Sequence, residues 1–186
     1  MAKAFEIEEL PLKGACRIKP FEHRDARGLF TKFYIKGALD SICVNVASFQ
    51  EEFLSVSKKN VIRGFHYLDG KHSEAKLITC LKGEAYDVIV DIRKSSPTFG
   101  RWHALHMSGK SPCTLYVPKG FAHGFLALTT DTTVLYRTDA PYKPEAQRGI
   151  IWNDPTLAIK WPLTGAPILS EADKKWPTFE LAEKFD

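Results

Sequence analysis

Lys76-Leu77-Ile78-Thr79-Cys80-Leu81-Lys82-Gly83-Glu84-Ala85-Tyr86-Asp87-Val88-Ile89-Val90-Asp91 is the stretch whose reading decides the fold. The apolar run 77–81 stops at the turn Lys82-Gly83-Glu84. Residues 85–92 then alternate, with Val88 and Val90 on one face and Asp87, Ile89 and Asp91 on the other, the period of an extended strand. Toward the C-terminus the pattern repeats. Residues 95–100 (Ser-Ser-Pro-Thr-Phe-Gly) form a loop, 102–107 alternate again, 114–117 and 124–128 flank Pro118-Lys119-Gly120, and 132–137 complete the series. Toward the N-terminus, residues 60–65 read as a strand that ends in a polar loop. Helical periodicity is weak over 36–42 and clear only after Ser170. Short strands at this spacing, cut by turn residues, predict an all-β chain, a two-sheet antiparallel barrel with a short C-terminal helix.

Composition agrees with one domain spanning 1–186. Of 186 residues, 44% are hydrophobic and 26% charged, a globular balance, and 12 Gly and 11 Pro suit many turns. The net charge of +4 suits an anionic small molecule, while no Lys/Arg run exceeds a pair such as Lys58-Lys59, which argues against a nucleic-acid groove. No stretch approaches the ~20 apolar residues of a membrane span, and the first residues lack an apolar leader, so the expected location is cytoplasmic. The four cysteines, at 16, 43, 80 and 113, form no Cys-x-x-Cys pair, and Cys80 reads as a buried reduced thiol.

Four pieces carry chemistry: Arg63-Gly64-Phe65-His66, Lys76, Pro118-Lys119-Gly120-Phe121-Ala122-His123-Gly124 and Tyr136. A base, a cation, a second imidazole and a phenol on neighbouring strands are what proton abstraction beside a carbonyl requires. Strict alternation separates Arg63 from His66 unless Gly64 allows a bulge. His66 does not read as a metal ligand, because Leu68 stands where a His-x-His pair would continue and the Lys76 ammonium repels a cation. The site is read as metal-free. Lys76 either stabilises an enolate oxygen or starts a strand at the surface, and Tyr136 is either an acid or a core tyrosine. Asp173 has two readings as well: Ser170-Glu171-Ala172-Asp173 fits a capping box, and the carboxylate equally suits an imidazole that needs orienting. Asp87 is a weaker orienting candidate.

Together these segments resemble the dTDP-4-dehydrorhamnose 3,5-epimerase family of nucleotide-sugar epimerases. The likeness runs through Asp25-Ala26-Arg27-Gly28-Leu29-Phe30, residues 58–66, Lys76-Leu77, residues 83–88 and 96–100, Pro118–Phe125, Tyr136, Trp152-Asn153-Asp154-Pro155, Trp161-Pro162 and residues 169–173. The resemblance implies a cupin-type jelly roll (a double-stranded β-helix), a homodimer, no cofactor and a nucleotide-diphosphate sugar substrate. It implies that His66, paired with Asp173, removes a proton α to a 4-keto group, that Tyr136 returns one from the opposite face, and that Lys76 stabilises the enolate. It also implies that His123 lies close to the sugar and that Arg27 and Arg63 hold the diphosphate. Two departures stand out: Lys32 replaces a family Glu, and Glu51-Glu52-Phe53 replaces Gln-x-Asn. An ionised Glu51 only accepts hydrogen bonds, which suggests another nucleotide such as CDP, unless Glu51 faces solvent. A single-site epimerase, a 3,4-ketoisomerase and a non-catalytic sugar-binding cupin are the competing readings, with a metal-dependent oxygenase the most remote.

Overall fold

The computed structural model describes residues 5–35 and 49–186; the segment 36–42 and Cys43 lie outside the described residues. The strands are β1 (Glu6–Glu9), β2 (Cys16–Lys19), β3 (Phe21–Asp25), β4 (Gly28–Lys32), β5 (Glu51–Ser57), β6 (Ile62–Leu68) and β7 (Lys76–Lys82). They continue as β8 (Glu84–Asp91), β9 (Trp102–Ser108), β10 (Thr114–Val117), β11 (Phe121–Ala127), β12 (Thr132–Thr138) and β13 (Gln147–Gly149). One antiparallel sheet runs β1-β2-β10-β7-β12-β5 and a second runs β13-β6-β11-β8-β9, while β3 and β4 form a separate two-stranded hairpin. The two larger sheets make a cupin-type jelly-roll barrel. No helix among the described residues is long and apolar enough to cross a membrane.

The alternation in the sequence sets what fills the barrel. From one sheet Ile78, Cys80, Leu115, Val117, Val134 and Tyr136 meet Ala85, Ile89, Phe121 and Phe125 from the other. Asp87 shares a face with Ile89 and is therefore buried inside, at 1% exposure. In this setting burial pushes the Cys80 thiol up to about 11, the behaviour of an inert core cysteine. The opposite faces of β6, β8 and β11 are also dry. Phe65, Val88, Val90 and Ala122 pack under Ile150, Leu157, Phe179 and Ala182 of the C-terminal segment. With both faces covered, every residue of β11 is buried.

Two expectations change. β6 extends to Leu68 and β11 begins at Phe121, so His66 and His123 stand within strands, not at their ends. The helix expected after Ser170 does not form; residues 171–175 make turns. Ser170 caps as the pattern implies, its Oγ accepting the Asp173 N–H at 3.1 Å, and Lys174 N–H reaches the Ser170 carbonyl at 3.3 Å. Pro177 then lacks an N–H to continue the ladder and disfavours helical geometry at Trp176, so a single turn is all the segment supports.

Candidate active site

Inward-facing residues at one end of the barrel line a pocket of about 500 Å³. β5 supplies Glu51, Phe53 and Ser55, β7 supplies Lys76, β12 supplies Tyr136, β11 supplies His123, and β6 supplies both Arg63 and His66. The last pair shares the pocket because of a bulge. His123 pairs with His66 and Phe125 with Arg63, so two steps along β11 match three along β6. Gly64 makes it possible: its φ is +123°, and a Cβ there would stand 2.5 Å from Gly124 Cα and 2.7 Å from the His123 carbonyl oxygen.

His66 Nε2 lies 2.5 Å from Asp173 Oδ1, with the imidazole 32% exposed and the carboxylate 5%. Burial pushes the Asp173 carboxyl up. Hydrogen bonds and the charge of His66, with further bonds from Ser170 and Trp176, outweigh it and hold the group below the usual carboxylate range. An ionised Asp173 accepts, so Nε2 carries the hydrogen and Nδ1 keeps the free lone pair. Only the Ser170 half of the capping box forms, through the Asp173 backbone N–H, while the Asp173 carboxylate goes to His66.

Across the pocket, the Tyr136 ring stacks on Phe53 with centroids 5.0 Å apart. Burial and the negative charge of Asp87 push its phenol well above its ordinary value, so it stays protonated. His123 Nε2 pairs with Asp87 Oδ1 at 2.9 Å, both buried, and its ring meets Tyr136 edge-on at 6.0 Å. Lys76 Nζ lies 3.0 Å from Glu74 Oε1, each side chain 11% exposed. Arg63 donates to Ser57 Oγ at 3.0 Å. Among the described residues no three His, Cys, Asp or Glu side chains converge as a metal would need.

The structure therefore brings His66, Asp173, Tyr136, Lys76, His123, Arg63 and Glu51 together. Glu51 Oε1 accepts the Tyr142 N–H at 2.9 Å at the pocket wall. Arg27 and Lys32 do not line this pocket. Both ride on the β3–β4 hairpin, where Arg27 is 87% exposed and bonded to Asp25, and the Lys32 ammonium stands 5.9 Å from the Phe30 ring. Sequence reasoning missed Glu74, Ser55, Tyr142, Gln147 and Trp176. Only Glu74 and Ser55 left a signal, since Glu74 sits two residues from Lys76 and Ser55 four from Glu51, spacings that share a face in an extended chain.

The family model described as dTDP-4-dehydrorhamnose 3,5-epimerase matches residues 9–181. The dTDP-4-dehydrorhamnose 3,5-epimerase of Mycobacterium tuberculosis is 41% identical over 177 residues, 94% of this chain and 88% of that protein. A Legionella pneumophila 3,5-epimerase solved with dTDP-4-keto-L-rhamnose superposes with a TM-score of 0.91 at 34% identity, covering 95% of this chain and 94% of that one. A 3'-monoepimerase from Streptomyces bikiniensis, solved with dTDP-quinovose, gives 0.88 at 31% identity over 93% and 87%. A family match over residues 9–181, relatives about 40% identical along most of the chain and a shared barrel lead to one assignment: the chain belongs to the dTDP-4-dehydrorhamnose 3,5-epimerase family.

Proposed function

We propose that the protein is an isomerase that inverts C3 and C5 of dTDP-4-dehydro-6-deoxyglucose, yielding dTDP-4-dehydrorhamnose. The observation that carries this reading is that His66, backed by Asp173 at 2.5 Å, lines the same pocket as Lys76 and Tyr136. His66 Nδ1 takes a proton from the carbon next to the 4-keto group, and Asp173 stabilises the imidazolium that forms. The electron pair moves onto the keto oxygen, where Lys76 stabilises the enolate, a contribution of a few kcal/mol in a dry site. Tyr136 then protonates the carbon from the opposite face and inverts it. Only protons move, and no cofactor enters these steps.

Arg63 suits the diphosphate, its guanidinium fork matching phosphate oxygens at the pocket wall. Arg27 is assigned the same task, but it lies outside its own pocket, so it would act in the site of a second copy. A homodimer is supported by the apolar residues left uncovered on the hairpin, Phe21 at 42%, Leu29 at 39% and Phe30 at 56% exposure. The protein acts as a single domain. The buried thiols of Cys80 and Cys113 suit a reducing, cytoplasmic compartment.

The test is incubation with dTDP-4-keto-6-deoxyglucose in D₂O, followed by mass and proton spectra. Deuterium at both C3 and C5 with inverted configuration is expected. His66→Ala should exchange roughly 10²–10⁴-fold more slowly, and Tyr136→Phe should exchange without inverting. Deuterium at C3 alone would make the protein a monoepimerase. Turnover of the CDP sugar in preference to the dTDP sugar would reassign the nucleotide, and no exchange with either would refute the reading.

A further inference from the structure

Trp176 takes no part in the proton transfers above, yet it contacts both members of the pair that performs the first. Its indole Nε1–H donates to Asp173 Oδ1 at 3.1 Å, and that same oxygen is 2.5 Å from His66 Nε2. The indole also meets the His66 ring edge-on, with centroids 6.1 Å apart and planes at 71°. The strand beneath is cleared for it. A Cβ on Gly149 would stand 2.4 Å from Trp176 Cδ2 and 2.6 Å from the Phe65 carbonyl oxygen. Gly149 is the residue that faces His66 across β6 and β13, so the indole lies over the pairing that carries the base.

We infer that Trp176 is a positioning residue whose indole N–H tunes the basicity of the His66–Asp173 pair. The inference rests on the reading of His66 as the base. A carboxylate oxygen with two donors divides its charge between them. With the indole donor gone, Oδ1 attracts the imidazole N–H more strongly, the imidazolium form gains stability, and more alkaline conditions are needed to free the base. Burial pushes the Asp173 carboxyl up, and the Trp176 bond is among those that hold it down.

The other ionisable groups around His66 are untouched by a change at 176. Arg63 shares β6, and His123, backed by Asp87 on β8, faces it from β11. Lys76 with Glu74, and Tyr136 and Glu51, line the facing sheet. On β13 Arg148 turns away to Asp69 and Glu183, and on the C-terminal turn Lys174 pairs with Glu171 beside Lys175.

Two variants separate the N–H from the shape of the ring. Trp176→Phe removes both the N–H and the bicycle. Incorporation of 3-benzothienylalanine at 176 keeps the bicycle and replaces the N–H with sulfur. The pH profile of kcat/KM with dTDP-4-keto-6-deoxyglucose is read first, because its acidic limb reports the base of the free enzyme. In both variants the limb should move up by about half to one pH unit, with kcat on the alkaline plateau and KM little changed. The second readout is the low-field proton resonance of the His66 Nε2–H in substrate-free protein, expected to move downfield. An unmoved limb and resonance in the folded benzothienyl protein would overturn the inference, and so would an effect confined to Trp176→Phe. Should the wild type turn over no substrate, the epimerase reading falls, and the resonance still decides the role of Trp176.

Discussion

Asp173 shows how one side chain links acid stability to the site. Its carboxyl is held below the usual range in the folded protein, so its contribution is complete above the unfolded value near ~4 and is lost as pH falls through the lower folded value. Asp173→Asn cannot titrate. Thermal melts should therefore show the wild type losing more stability than the variant between about pH 5 and pH 2. Parallel losses in the two proteins would mean that the His66 bond does not set the carboxyl's affinity for protons. Glu74, at 3.0 Å from Lys76 and equally shielded, fixes the ammonium in place at the pocket wall.

At the scale of elements, the bulge in β6 is what turns two strands into a site. Alanine at 64 would meet Gly124 Cα at 2.5 Å and would have to adopt a φ of +123°. The backbone strain alone costs about 1–3 kcal/mol, so Gly64→Ala should lower the urea midpoint and displace His66, with activity falling further than stability. A midpoint equal to that of the wild type would show that the close approach of β6 and β11 is not required. The strands themselves were legible because alternation and turn residues report local geometry: 114–117 matches β10 residue for residue, and 102–107 matches β9 to within one residue. Part of the pocket follows from the same parity, since Lys76, Ile78 and Cys80 must share a face; β5, which carries Glu51, Phe53 and Ser55, is a strand that the sequence reading did not include. What could not be read was the irregular C-terminal cover. The helical period read after Ser170 does not describe it, and nothing in the sequence marks Trp176 until the backbone brings it over Gly149. The helix expected after Ser170 failed for a related reason: a cap starts a turn, and Pro177 stops it from propagating.

For the whole molecule, the position of Arg27 makes the proposed dimer testable by complementation. His66→Ala and Arg27→Ala proteins, each impaired alone, are mixed and allowed to exchange subunits. If the hairpin serves the partner's pocket, a mixed dimer contains one site with both residues intact, and random pairing should restore roughly a quarter of wild-type sites. No recovery from a mixture proven to exchange would place Arg27 outside the reaction. The edge strand β5 extends the surface available to a second copy, with Leu54 57% and Val56 54% exposed.

All the barrel strands but β13 are complete by Thr138, and by then the chain has supplied Lys76, His66, His123 and Tyr136. The carboxylate that pairs with His66 arrives 35 residues after Thr138, on the same segment that seals the outer face of the second sheet. On the proposed mechanism, then, a ribosome-bound chain would hold a nearly finished pocket that is chemically silent during synthesis. Catalysis would begin only when the tail has been made and has docked, so turnover would certify that the chain was translated past the barrel and folded back onto it.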